Sequence, residues 1–123
     1  MADNNFEKHV FKKDRYSKAR GGNSCFLNIF CSSCKSHVAL YQKDGPGALI
    51  RMYLDRIFAP SNLADLQYKG GSKKNLPNLQ CKNCHALIGN PMVYELENRL
   101  AFRLVPGAFI KKNSDGMYPP LKS

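Results

Sequence analysis

Cys31-Ser32-Ser33-Cys34 and Cys81-Lys82-Asn83-Cys84 are the two stretches whose reading decides the fold. A Cys-x-x-Cys turn presents two thiolates on one tight loop, with backbone N–H groups left to hydrogen-bond the sulfurs. Two such turns supply the four soft ligands of a tetrahedral zinc ion. Residues 35–80 separate the pairs, too long an interval for a single finger, so sheet structure has to carry each knuckle to the other and the metal closes a long-range contact. Four cysteines complete the shell, which leaves no open position of the kind a catalytic zinc keeps for water. A rubredoxin-like iron site, an iron–sulfur cluster and redox-active dithiols are the alternatives. The dithiol reading wants a pair opening a helix in a βαβ setting, and neither pair has one. His37 and His85 flank the knuckles and are read as surface or supporting groups, because the cysteines already satisfy the metal.

A chain of 123 residues fits one domain, and a domain of this size buries only about two thirds of the surface its unfolded chain exposes. A metal staple suits such a small core. Apolar residues make up 43% and tryptophan is absent, so the core must draw on Phe, Tyr, Leu and Ile. Five cysteines are an odd number, which disfavours a closed disulfide framework. The fifth, Cys25, stands beside an apolar run and is expected to be a small buried hydrophobe. The start of the chain has no apolar stretch like a signal peptide, and no segment approaches the roughly 18 apolar residues of a membrane span. The expectation is therefore a soluble, intracellular protein, cytoplasmic or nuclear, with no membrane partner.

The formal charge is +10, and four thiolates around one divalent ion would bring it to about +8. That balance favours polyanions such as nucleic acid, acidic protein surface or anionic lipid without choosing among them. The positive residues cluster in the N-terminal segment, at Lys69, Lys73 and Lys74, and at Lys111 and Lys112. On one face they would make a phosphate-tracking stripe with Tyr41, Tyr53, Tyr68 or Phe109 as stacking groups; otherwise they are ordinary solvated lysines.

Residues 1–23 read as a basic, flexible N-terminal tail ending in Gly21-Gly22, residues 24–112 as the zinc-binding domain, and residues 113–123 as a C-terminal tail. Within the domain, Cys25–Phe30 and His37–Tyr41 are short β-prone runs flanking the first knuckle, as in a zinc-bearing hairpin. A turn is expected at residues 43–47, a strand over Ala48–Phe58 and another at Leu63–Tyr68, with a basic turn following. Leu76–Gln80 leads into the second knuckle, Gly89-Asn90-Pro91 reads as a turn, and Met92–Glu97, Arg99–Val105 and Ala108–Lys112 read as a meander of strands. Asp44 and Asp55 are read as turn and surface residues. No phosphate-binding loop, nucleophile elbow or zinc-protease helix is present, and the nine acidic residues form no evident catalytic pair. The reading is all-β and non-catalytic.

The second half resembles the Yippee-like proteins. The likeness is carried by Cys81-Lys82-Asn83-Cys84-His85-Ala86-Leu87-Ile88-Gly89, then Tyr94-Glu95, Arg99, Phe102 and Gly107-Ala108-Phe109-Ile110, and it spans about residues 28–112. That family belongs to the β-tent group, with the thalidomide-binding domain of cereblon, methionine-R-sulfoxide reductases and the C-terminal domains of innate RNA sensors. The resemblance implies two antiparallel sheets meeting at a zinc held by Cys31, Cys34, Cys81 and Cys84, with a ligand cleft on one side. Its function is not fixed by that fold. Sulfoxide reductases of this shape place a nucleophilic cysteine on a late strand, and this chain has no cysteine after Cys84. Cereblon-type domains build a cage of tryptophans, so any cage here must use Tyr and Phe. The sequence thus points to a zinc-stapled β-tent module that binds a protein or small ligand through a cleft. The alternative is RNA or single-stranded nucleic-acid binding through basic surface, and an oxidoreductase is the remaining reading.

Overall fold

The structure, a computed structural model, describes residues 7–19, 23–45, 47–68, 74 and 76–120. Its strands run in the order β1 (Glu7–Lys8), β2 (Ser24–Cys31), β3 (His37–Asp44), β4 (Arg51–Tyr53), β5 (Ile57–Ala59), β6 (Leu79–Gln80), β7 (Leu87–Tyr94), β8 (Arg99–Leu104), β9 (Phe109–Ser114) and β10 (Met117–Tyr118). Short helices α1 (Arg15–Ala19) and α2 (Ser61–Ala64) complete the set, with 3-10 turns at Leu54–Arg56 and Asp65–Tyr68. The fold is all-β, as expected, and the strands form two four-stranded antiparallel sheets. The first has the order β5-β3-β2-β9, the second β4-β8-β7-β6. Each Cys-x-x-Cys pair occupies the turn of a hairpin, β2–β3 in the first sheet and β6–β7 in the second.

Alternation explains which faces meet. Leu27, Ile29 and Cys31 on β2, with Ala39 and Tyr41 on β3, face Met52, Ile88, Phe102 and Leu104 of the second sheet across the main core. Side chains of period two put one face of each strand there. The other face of the first sheet is also covered. Phe26, Leu40 and Ala59 form a small second cluster with Phe58 and Tyr118, so β2 reads as a near-continuous apolar run because it is buried on both sides. The cover is the two-stranded ribbon of β1 and β10, in which Glu7 pairs Tyr118 and Lys8 pairs Met117. Phe11 stacks on Phe26 at 4.5 Å between ring centroids, and His9 meets Phe58 edge-on at 5.2 Å.

Several expectations need correction. Residues 7–19, expected to be part of a flexible tail, pack against the body of the fold. The expected C-terminal tail contributes the end of β9 and all of β10. Both segments carry aromatic residues that the outer face of the first sheet needs as cover. The expected strand Ala48–Phe58 is split by the 3-10 turn at Leu54–Arg56, so that β4 joins the second sheet and β5 the first. Leu63–Tyr68 is helical rather than extended. Leu63 and Leu66, three positions apart, both pack on the core, which one helical face permits and a strand of that register does not. Gly89-Asn90-Pro91 is no turn but the middle of β7, paired with Leu104, Arg103 and Phe102. An added Cβ at Gly89 would sit 3.0 Å from the Arg103 carbonyl oxygen, so glycine here marks a close approach of backbones. Pro91 lies beyond the reach of β6, whose pairing stops at Gly89, where a strand edge tolerates a missing N–H. Cys25, expected to be a small buried hydrophobe, is exposed: it shares the phase of the inward-facing Leu27 set but stands at the second position of β2, beyond the buried stretch that begins at Phe26.

Gly116, at the bend into β10, combines a φ of +91° with crowding. A Cβ there would meet a Phe26 ring carbon at 2.8 Å and the His9 carbonyl oxygen at 2.9 Å. Gly107 has a similar φ of +82° and open space around it. Gly116→Ala should therefore lower stability by about 1–3 kcal/mol, and Gly107→Ala by only the strain portion, about 1 kcal/mol. Urea denaturation midpoints of the two variants check the difference.

Candidate metal centre and ion-pair groove

The two knuckles are built alike. Cys31 N–H donates to the Ser36 carbonyl at 2.9 Å and the Cys31 carbonyl accepts from Lys35 N–H at 2.8 Å; Cys81 N–H donates to Ala86 at 2.9 Å and its carbonyl accepts from His85 at 2.8 Å. The residue after each second cysteine closes the turn in the left-handed region, Lys35 at φ 67° and His85 at φ 66°. These turns aim all four sulfurs at one point. Cys31 Sγ lies 3.6 Å from Cys84 Sγ and Cys34 Sγ 3.5 Å from Cys81 Sγ, and all four fall within 4.8 Å of one another. Those separations exceed the about 2.05 Å of a disulfide bond. They fit the about 3.8 Å edge of a tetrahedron of sulfurs each about 2.3 Å from a central ion.

The surroundings prepare the sulfurs for a cation. Hydrogen bonds from the Asn83 side chain, then the Ser36 hydroxyl and N–H, pull the Cys34 thiol down to about 5. The Cys34 N–H does the same for Cys31, whose thiol is also held below its ordinary value. At Cys84 the Ala86 N–H favours the thiolate, but desolvation and the three adjacent sulfurs outweigh it and push the thiol up to about 12. Four negative sulfurs cannot share this space unaided, and a positive ion at their centre removes the conflict. The cluster can hold a metal ion, as the sequence spacing implied. His37 and His85 stay outside it: His37 Nε2 pairs with Asn28 Oδ1 at 2.8 Å, and His85 is exposed on its turn.

Of the expected polyanion contacts, Lys111 and Lys112 are exposed on the edge strand β9, with Lys112 Nζ 5.7 Å from the centre of the Phe30 ring. Lys74 is exposed, and Lys69 and Lys73 lie outside the described residues. Tyr41 and Tyr53 do not serve as exposed stacking groups. Both are buried, and the Tyr41 hydroxyl accepts a hydrogen bond from Tyr53 N–H at 2.9 Å. Tyr68 is 78% exposed, and Phe109 is half-buried.

Sequence reasoning missed a second constellation, at the end of the sheets opposite the cysteines. Arg56 is buried at 1% exposure, with Nε donating to Asp44 Oδ2 at 2.8 Å and its two terminal nitrogens donating to both oxygens of Asp14 at 2.7 and 3.1 Å. Arg99, also buried, donates to Asp55 Oδ1 at 2.6 Å and Glu97 Oε1 at 2.9 Å. Its guanidinium is sandwiched between Tyr16 and Tyr53, 3.9 and 3.8 Å from their ring centres. This is a tyrosine cage filled by the chain's own arginine. Asp44 and Asp55, expected at a turn and on the surface, are thus structural partners of buried cations, for which unpaired burial would be costly. Two signals were present in the sequence. Arg56 interrupts an apolar run between Leu54 and Ile57, and Gln42 continues the buried strand β3 at 0% exposure.

Beside Arg99 lies an open cavity of about 510 Å³ bounded by Tyr16, Leu54, Gln67, Tyr68 and Val93; a second, of about 300 Å³, is lined by Tyr41, Lys43, Leu49, Arg51 and Tyr53. Among the described residues no helix is long and apolar enough to cross a membrane. The chain matches no protein-family model, no characterised protein and no solved structure, so the likeness to Yippee-like proteins rests on the residues quoted for it.

The Arg56 guanidinium beside Asp14 holds that carboxyl at about 2, below the about 3.9 of a free aspartate. A depressed carboxyl contributes stability that is present above about pH 4 and is lost as pH falls toward 2. Asp14→Asn should be less stable at neutral pH and show a shallower loss between pH 4 and 2. Denaturation midpoints of both proteins across that range are the measurement.

Proposed function

We propose that the protein is a non-catalytic binding module whose two sheets are clasped by one structural zinc ion at Cys31, Cys34, Cys81 and Cys84. The observation that carries this reading is the gathering of four sulfurs from two sheets within 4.8 Å. An all-sulfur tetrahedral set suits zinc, and a complete sulfur shell has no site for water or substrate. Binding is the activity left to such a domain, through the concave surfaces around Arg99 and Tyr53. Structural zinc contributes on the order of 10–16 kcal/mol in finger peptides, against a net stability of about 5–15 kcal/mol for a whole domain. Protein purified without chelator should contain one zinc per chain by elemental analysis. A strong chelator or Cys84→Ala should abolish the cooperative unfolding transition; a chain with no bound metal and unchanged stability would overturn the reading.

A second reading, polyanion binding, is favoured by how the charge is distributed. Arg56 and Arg99 with Asp14, Asp44, Asp55 and Glu97 account for two positive and four negative charges, a net of −2 out of the formal +10, so the rest of the chain carries +12. Residues 27–43, 79–94 and 104–114, which build the cysteine end and the strands leaving it, contain no Asp or Glu. Lys35, Lys82, Lys111 and Lys112 are exposed there. If these lysines contact single-stranded nucleic acid, replacing Lys111 and Lys112 with alanine should reduce the slope of log K against log salt by about 1.4. Titrations of labelled RNA and DNA at several ionic strengths measure it, and an absence of binding at low salt removes this reading.

A further inference from the structure

The N-terminal segment sits on the fold as a bound peptide would. Its backbone is read at Lys12, whose N–H donates to Gln42 Oε1 at 2.8 Å while its carbonyl accepts from Gln42 Nε2 at 3.0 Å. A single fully buried amide thus grips both polar groups of one residue. The side chains are read separately. Phe11 stacks on Phe26. Lys12 Nζ donates to the Asp55 carbonyl at 2.6 Å and to Gln67 Oε1 at 3.3 Å, with the Phe58 ring 5.7 Å away. Asp14 receives the two-pronged guanidinium of Arg56, and Tyr16 covers the face of Arg99 that Tyr53 leaves open.

Every receptor group here belongs to the sheets or to the turns joining them, and Gln42, Arg56 and Arg99 are buried. From this geometry we infer that the fold carries a peptide-recognition groove, filled here in cis by the chain's own segment, whose partner is a protein segment of the pattern aromatic–Lys–x–Asp–x–Tyr. Without a carboxylate in the Asp14 position the terminal nitrogens of Arg56 lose both the acceptors that Asp14 provides, so the groove demands an acidic residue two places after the lysine. The cavity of about 510 Å³ borders the segment at Tyr16 and gives a partner further surface to bury. A tethered segment acts at an effective concentration on the order of millimolar. The resident copy is thus a built-in competitor that a partner must displace.

This inference rests on the reading of the protein as a binding module, and its test is separable from the zinc test because metal content is measured alongside. The full chain is prepared with a protease site within residues 20–22, folded, cut and then mixed with a fluorescent peptide of residues 7–19. The cut protein should take up the peptide saturably. Uptake should weaken about thirtyfold or more when the peptide carries Asp14→Lys, and the uncut chain should take up the wild-type peptide only at far higher concentration. Equal uptake of the wild-type and Asp14→Lys peptides, or none by cut protein that keeps its sheet signal and metal, would overturn the groove. So would loss of the sheet signal on cutting and dilution, which would make the segment part of the core. Intact chains that dimerise by exchanging these segments would put a second copy, not a partner, in the groove and overturn that assignment.

Discussion

Two hairpin turns must meet for this chain to have a core at all. The cysteine pairs stand at the tips of β2–β3 and β6–β7, in different sheets, and each sheet alone has an apolar face with nothing to cover it. An antiparallel sheet with one apolar face needs a partner to take that face out of water, and here the partner is the other sheet. Holding four sulfurs within 4.8 Å fixes the distance and the angle of that packing at one end, and the alternation of Leu27 and Ile29 against Ile88 and Phe102 then carries it along the strands. The matching hydrogen bonds of the two knuckles make the joint nearly symmetric although the strands beyond it are not.

At the other end the joint is electrostatic. The 3-10 turn Leu54–Arg56 passes from the second sheet to the first, and its adjacent residues Asp55 and Arg56 point to different partners. Asp55 pairs with Arg99 on β8, while Arg56 pairs with Asp44 on β3 and with Asp14 of the N-terminal segment. One crossing turn therefore connects both sheets and the segment lying over them. Buried ion pairs are weak evidence for net stability, because desolvation offsets attraction. Their geometry still dictates which groups can occupy the site.

The sequence was informative where chemistry is local. Cys-x-x-Cys spacing and the β-prone runs beside it announced the sheets and the cysteine cluster that can hold a metal ion. It was uninformative where the decisive partner is far away. Nothing near Asp14 or Tyr16 foretells Arg56 and Arg99, so a segment rich in Lys and Arg read as a tail. The 48–58 run has the composition of one strand, and only the need of two sheets for an edge each divides it. Leu63–Tyr68 contains too few residues for its three-residue spacing to outweigh a β-like composition. Arg56 and Gln42, polar residues within apolar runs, were the legible sign that some other part of the chain had to supply their partners.

The β4–β5 crossing has a consequence for how the molecule comes apart. Four sulfurs gather where the sheets meet at one end and carboxylate–guanidinium contacts join them at the other, so the two seams answer to different insults, electrophiles and oxidants on one side, acidification on the other. Acidification would loosen the ion-paired seam at Asp14, whereas damage to the sulfurs would strike the contact on which the packing of both sheets depends.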